Sequence, residues 1–176
     1  MSEDTRLLVV GSGMGVSLLA VNPDEVYARA CAIEDTDMQR AIELYGFATR
    51  IDKTHVTSWV NLGVCYHKLG KLQDAEECWM AALEQNPDHL EAPYNLACYH
   101  QESGSVEMAD HLFERVLQLD ATYADAYFNR AMVRERLGKI QESLTHWKNF
   151  LGLSTSPTNG VWLHMAERAV ARLQKA

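Results

Sequence analysis

The residues of this chain best suited to chemistry are its four cysteines and seven histidines. Thiolates and imidazoles hold zinc when they occur in closely spaced pairs such as Cys-x-x-Cys or His-x-x-x-His, and the sequence contains neither pair. Instead Cys31 and Cys65 lie 34 residues apart, and Cys98 follows 33 residues later. Such spacing indicates small buried residues of a repeated helix, so we predict no metal site.

Three glycines near the N-terminus have the wrong spacing for a phosphate-binding loop. The run Gly11-Ser-Gly-Met-Gly15 has the form G-x-G-x-G, and Val16 stands where the dinucleotide-binding fingerprint requires its third glycine. No strand–helix–strand unit follows, and no Ser/His/Asp order or nucleophile elbow is visible. We therefore predict that the protein binds no cofactor and is not an enzyme.

Three asparagines at a constant spacing form the strongest candidate for a binding site. Asn61, Asn95 and Asn129 recur every 34 residues. An asparagine amide has both a donor and an acceptor, so each one can pair with the two sides of a peptide unit. We expect these amides to lie free of partners within the chain and to be available to a peptide backbone.

The same 34-residue period runs through the residues that must position the asparagines. The aromatic row is Tyr45, Trp79, Phe113 and Trp147, the small residues are Gly63, Ala97 and Ala131, and the glycines are Gly70, Gly104 and Gly138. Aromatic side chains fill the space between helices, small residues let two helices approach, and glycine supplies the left-handed turn that ends a helix. The pattern predicts pairs of helices stacked in a row.

The densest part of the pattern reads Trp59-x-x-Leu62-Gly63-x-x-Tyr66, then Gly70, Ala75, Trp79, Ala82 and Pro87. It resembles the tetratricopeptide repeat, W-x2-L-G-x2-Y…A-x3-F…P. The resemblance implies an all-α fold, a right-handed superhelix of four helical hairpins. Their predicted bounds are 22–55, 56–89, 90–123 and 124–157. The first repeat is degenerate, and in the fourth Arg130 and Arg134 replace the expected Leu and Tyr.

Two segments flank the repeats. In residues 1–21 two apolar runs surround the glycines, which predicts a short N-terminal β-hairpin. In residues 158–176 apolar residues recur at helical spacing, which predicts a capping helix on the fourth repeat. With its hairpin, the array also resembles the repeat region of bacterial MerR-type regulators, although no DNA-binding segment is recognisable in this sequence.

The family resemblance implies where a ligand binds. In tetratricopeptide proteins the first helix of each hairpin lines a concave groove, and asparagines in the register of Asn61, Asn95 and Asn129 bond to a peptide backbone. The neighbouring groove positions are Val60, Val64, His67, Tyr94, Cys98, Phe128 and Met132. The expected rim is acidic and consists of Glu91, Glu102, Asp125 and Glu135. Some members of the family bind the C-terminal carboxylate of a ligand with lysines early in these helices. Thr57, Glu91 and Asp125 occupy the corresponding positions here, so binding of a terminal carboxylate is not expected.

Charge and hydropathy limit the partners. The net charge of −8 argues against nucleic acid and anionic membrane surfaces, which both require clustered basic residues. No apolar run approaches the roughly 18 residues of a membrane span. The acidic start Met1-Ser-Glu-Asp4 is unlike a secretory signal, and cysteines without close pairing indicate a reducing compartment. We predict a cytoplasmic protein.

The leading functional hypothesis is a scaffold or adaptor that binds a segment of another protein in the concave groove. That segment is expected to be apolar, extended or helical, and compatible with basic residues because the rim is acidic. Two alternatives stay open. One is a homo-oligomerising assembly subunit that uses the N-terminal hairpin or the convex face, and the other is the detached regulatory module of a transcription regulator.

Overall fold

The computed structural model describes residues 21–154 and 160–175, which form nine α-helices and contain no strand. The helices are α1 (Pro23–Ile33), α2 (Met38–Ile51), α3 (Val56–Lys68), α4 (Leu72–Gln85), α5 (Glu91–Ser103), α6 (Val106–Leu119), α7 (Ala124–Arg136), α8 (Ile140–Leu153) and α9 (Gly160–Leu173). The β-hairpin predicted in residues 1–21 lies, except for its last residue, outside the described residues.

The helices pack in chain order. The pairs α1–α2, α3–α4, α5–α6 and α7–α8 form four hairpins, and the second helix of each hairpin packs on the first helix of the next unit. We call the first helices (α1, α3, α5 and α7) the A helices and the second ones (α2, α4, α6 and α8) the B helices. Helix α9 packs on α8 and so takes the place of a fifth A helix.

Glycine ends three of the A helices, as the sequence predicts. Gly70, Gly104 and Gly138 adopt φ angles of 72°, 88° and 72°, a left-handed conformation that a side chain at Cβ disfavours. The first hairpin turns without glycine. There the Thr36 hydroxyl donates to the carbonyl oxygen of Ile33 at 3.1 Å, and Asp37 caps α2 by accepting from the Arg40 amide at 3.0 Å.

The predicted aromatic row lies in the core. Tyr45, Trp79, Phe113 and Trp147 expose 0%, 2%, 0% and 3% of their surface. Gly63 packs directly against Trp79, since a Cβ atom at Gly63 would lie 2.4 Å from the indole Nε1. That Nε1 donates to the carbonyl oxygen of Val60 at 3.1 Å. The small residue and the aromatic ring of this hairpin therefore fit each other as a matched pair.

The two arginines that depart from the repeat pattern have a buried partner on the preceding hairpin. Asp110 of α6, only 5% exposed, accepts from Arg130 Nε at 3.0 Å and from Arg134 Nε at 2.6 Å. Arg130 also pairs with Glu114 at 2.9 Å, and Arg134 pairs with Glu142. Each buried charge thus has a partner of opposite sign, and without such a partner its burial would be strongly unfavourable. We call Asp110, Arg130 and Arg134 the ionic cluster.

The ionic cluster shifts the protonation of groups around it. Burial by itself raises the pKa of Asp110, but the hydrogen bonds and charges of Arg130 and Arg134 outweigh burial and hold that pKa below its usual value. Burial and the same two arginines lower the pKa of His146 to about 4, so this imidazole is neutral at physiological pH. The ionic cluster therefore carries an ionised carboxylate between two guanidinium groups.

Helix α9 covers the fourth hairpin as predicted for a capping helix. Its Ala166, Ala169 and Leu173 are buried against a cluster that contains Phe128 and Phe150. Its first turns are only partly covered, because Val161, Trp162 and Met165 expose 73%, 50% and 43% of their surface. The outer end of the array therefore keeps an apolar edge.

Candidate functional site

The A helices form the inner side of the stack. Helix α3 packs on α5 and α5 packs on α7, while no comparable packing joins successive B helices in residues 21–154. Elements that lie closer together occupy the shorter arc of a curved array. The side shared by α3, α5 and α7 is therefore the one expected to be concave, where the sequence places the candidate site.

Two of the three asparagines are held by tyrosines of the preceding repeat. The Asn61 amide donates to Tyr27 Oη at 3.2 Å and to Tyr45 Oη at 3.4 Å. The Asn129 amide donates to Tyr94 Oη at 3.0 Å. The expectation that these amides lack intramolecular partners is therefore wrong for Asn61 and Asn129, because each lies one repeat away from a phenol on the adjacent A helix. No hydrogen bond of the Asn95 side chain occurs among the described residues.

This difference predicts unequal effects on stability. Asn61→Ala and Asn129→Ala should each leave the protein about 0.5–1.5 kcal/mol less stable than Asn95→Ala, because only they remove a hydrogen bond. The gain in helix propensity from asparagine to alanine is common to all three, so their comparison isolates the tyrosine bond. Urea denaturation of the three variants measures it. Equal stabilities would show that the tyrosine bonds contribute nothing.

The predicted groove positions divide into core and surface. Val60 is 2% exposed and packs with Ala82 and Ala92, so its assignment to the groove surface is wrong: the side chain points into the interface between hairpins. Phe128 is also buried, at 5%. The remaining positions are half-buried and reach the surface in part: Val64, His67, Tyr94, Cys98 and Met132.

Two cysteines, Cys65 and Cys78, lie in the core, Cys98 is half-buried and Cys31 is exposed. Burial raises the pKa of Cys65 and Cys98 to about 11 and that of Cys78 to about 12, so these thiols stay protonated and weakly nucleophilic at neutral pH. Cys31 is exposed, so its assignment to a buried small-residue site is wrong. The degenerate first A helix presents this position to solvent instead.

Two openings on the concave face lie near the C-terminal end of the array. The smaller one, of about 230 Å³, is lined by Tyr94, Asp125, Phe128, Asn129, Phe150 and Trp162. It includes three predicted site residues, Tyr94, Phe128 and Asn129. Trp162 of α9 contacts the Phe128 ring edge-on, with centroids 4.9 Å apart. The capping helix therefore supplies one wall of this opening.

The larger opening, which we call the α7–α9 cleft, has a volume of about 750 Å³. Its lining residues in the described part of the chain are Met132, Glu135, Arg136, Trp147, Met165, Arg168, Ala169, Ala171, Arg172 and Lys175. The volume lies within the range of about 300–1,000 Å³ typical of ligand sites. An apolar floor with a polar rim is the usual composition of such a site.

The rim of the α7–α9 cleft is basic, which differs from the acidic rim expected. Glu135, the one carboxylate among the described residues of this rim, accepts from Trp147 Nε1 at 2.8 Å and from Arg172 at 2.6 Å, so its charge is compensated within the chain. Arg136 donates to the carbonyl oxygen of Gln101 at 3.0 Å. Three of these basic residues lie outside the repeats, Arg168 and Arg172 on α9 and Lys175 just after it, so the 34-residue period gives no signal for them.

Metal-ligand clusters and membrane-spanning helices are both absent from residues 21–154 and 160–175. No group of three His, Cys, Asp or Glu side chains there is placed to hold a metal ion. No helix in these ranges is long and apolar enough to cross a bilayer.

Comparison with known proteins identifies the repeat. The sequence pattern of the tetratricopeptide repeat matches residues 56–89, which contain the whole α3–α4 hairpin. Residues 56–89 are a tetratricopeptide repeat. No curated protein matches the sequence as a whole. The link to MerR-type regulators stays a prediction.

The fold of the chain around this tetratricopeptide repeat is similar to that of solved structures. MamA AMB-1 shares 18% identity at a TM-score of 0.70, over 87% of this chain and 81% of that chain. MamA MSR-1 shares 20% identity at a TM-score of 0.66, over 86% and 82%. YrrB, described as a TPR protein with an unusual peptide-binding site, shares 17% identity at a TM-score of 0.70, over 87% and 78%. Identities this low establish the fold alone.

Proposed function

We propose that this tetratricopeptide-repeat protein is a non-enzymatic scaffold that binds a peptide segment of a partner protein on its concave face, without a cofactor. The observation that carries the proposal is the pair of openings along α7 and α9, which provide an apolar floor beside polar groups on that face. Apolar surface supplies most of the affinity at protein interfaces, and a few polar groups fix orientation. YrrB, a protein of similar fold, carries a peptide-binding site.

The asparagine row contributes a second element to this proposal. Tyr27 and Tyr94 fix the orientation of Asn61 and Asn129, so these two amides enter binding without losing side-chain entropy. Each still has a carbonyl oxygen that can accept from a peptide N–H. Within residues 21–154 and 160–175 no side chain or backbone group occupies the donor or the acceptor of the Asn95 amide. The row thus favours pairing with a peptide backbone along the concave face.

The proposal places the protein in the cytoplasm, where its four free cysteines would remain reduced. The homo-oligomer and the regulatory module remain predictions from the sequence. Measurement of the solution mass separates the first of these from a monomeric scaffold.

Asn95→Ala tests the asparagine row most directly. Once a partner has been isolated with the tagged full-length protein from its native organism, this variant should bind it about two- to tenfold more weakly, the effect of one hydrogen bond. Asn149→Ala on the exposed side of α8 serves as the matched control and should bind as the native protein does. Isothermal titration calorimetry measures both. If Asn95→Ala binds with native affinity, the peptide does not cross this row.

A further inference from the structure

The α7–α9 cleft has a charge opposite to that of the protein as a whole. The net charge is −8, yet the described residues at this rim include Arg136, Arg168, Arg172 and Lys175 against the single carboxylate of Glu135. Glu135 is compensated by Arg172. Arg168 and Lys175 form no ion pair among the described residues, so the rim has an excess of positive charge available to a ligand.

The floor of the α7–α9 cleft has a different character from its rim. Met132, Met165 and Ala169 supply apolar surface, and Met165 exposes 43% of its own surface. Methionine side chains are flexible and polarisable, so they fit apolar groups of different shapes. The floor therefore suits one apolar side chain of a ligand, set between the basic groups.

The basic groups are arranged along a line. Arg168 and Arg172 are spaced by four residues on α9, which places them on one side of that helix, and Lys175 follows two residues after the helix ends at Leu173 and lines the same cleft. Arg136 faces them from the last turn of α7. A linear ligand that follows the cleft meets successive positive charges on both sides of the apolar floor.

We propose that the α7–α9 cleft binds an acidic segment of a partner protein, with Asp or Glu side chains on either side of one apolar anchor residue. This inference rests on the proposed scaffold function and assigns the chemistry of its partner. For this part of the concave face, it replaces the expectation, based on an acidic rim, that the partner segment is basic. Because the protein as a whole is acidic, the attraction is local to the rim and acts through close pairs.

The test uses a phage-displayed library of random 16-residue peptides, selected on the immobilised full-length protein. The most enriched sequence is then synthesised with a fluorescein label, and its affinity is measured by fluorescence anisotropy. We expect enrichment of Asp and Glu around an apolar residue. Raising the salt concentration should weaken the binding of that peptide, because it screens the pairs with the rim.

Two double variants with the same change in net charge locate the site. Arg168→Glu with Lys175→Glu reverses two rim charges that make no ion pair among the described residues. Lys53→Glu with Lys148→Glu reverses two exposed charges outside the cleft. The rim variant should weaken binding at least about tenfold and the control less than about twofold. Circular dichroism of both variants checks that they remain folded.

The possible failures separate the two proposals. If no peptide is enriched, the scaffold proposal and this inference both fail. If the enriched peptides are basic or uncharged, or if the rim variant binds them as well as the control does, this inference fails and the scaffold proposal stands. Displacement of the labelled peptide by a synthetic peptide of residues 1–20 would assign the cleft to the chain's own segment and would also overturn the inference.

Discussion

Replacing Asp110 with asparagine should lower the free energy of unfolding by about 3–5 kcal/mol, because two buried guanidinium groups then lose the carboxylate that they share. Arg130 and Arg134 are 6% and 7% exposed, so water cannot take the place of that carboxylate. Urea denaturation at neutral pH measures the loss. Asp35→Asn, at an exposed turn position without a side-chain hydrogen bond among the described residues, is the control and should change stability by less than about 0.5 kcal/mol.

The dependence on pH gives this prediction a second readout. The pKa of Asp110 is below its usual value in the folded protein, so the stabilisation is complete above the unfolded-state pKa of about 3.9 and is lost as the pH falls through the lower folded-state value. The stability difference between the native protein and Asp110→Asn should therefore stay constant between about pH 5 and pH 8 and should shrink below about pH 4. A difference unchanged at about pH 3 would mean that asparagine disturbs packing and that charge is not involved.

Replacing Trp79 with alanine should cost about 3–5 kcal/mol, the range for removal of a buried aromatic side chain. The indole is 2% exposed, fills the space beside Gly63 and donates to the Val60 carbonyl oxygen. Because each repeat is stabilised by its neighbours, the loss should lower the melting temperature of the whole array. Met80→Ala, at a half-exposed position next to it, is the control and should have little effect. An unchanged melting temperature for Trp79→Ala would contradict the role assigned to the aromatic row.

The contact between Gly63 and Trp79 predicts that their substitutions are not additive. Gly63→Ala should destabilise the native protein, because its Cβ atom would lie 2.4 Å from Trp79 Nε1. The same substitution should cost much less in the Trp79→Phe background, where the shorter ring leaves room for a methyl group. Unfolding of the two single variants and the double variant completes this cycle. Equal costs in both backgrounds would show that the indole does not determine the need for glycine.

The sequence predicts those parts of the structure that depend on contacts within one repeat. Trp79, Gly63 and Gly70 share a hairpin. Gly70 ends a helix, Gly63 allows two helices to approach closely, and the ring of Trp79 fills the space between them. The 34-residue period then carries the same reasoning to Phe113 and Trp147. The glycine turns and the buried aromatic row therefore agree with the expectation from the sequence.

The features that the sequence did not predict depend on contacts between repeats. Arg130 and Arg134 were recognised as departures, but Asp110 has no periodic signature that links it to them, and only the packing of α6 on α7 brings the three together. The bond between Asn61 and Tyr27 depends on the position of α1 beside α3, which the spacing of the asparagines does not give. The net charge of −8 does not indicate the basic rim, because it is the sum of acidic and basic patches.

The asparagine–tyrosine bonds also have a mechanical consequence. They tie α1 to α3 and α5 to α7, while the joint between α3 and α5 is bridged by His67 and Glu102, 3.0 Å apart on a solvent-exposed surface. Buried Val60 of α3 also packs with Ala92 of α5, so apolar burial holds this middle joint together with the exposed contact. The three joints between A helices therefore depend on different combinations of contacts, and one substitution can weaken a single joint while the other two keep their bonds.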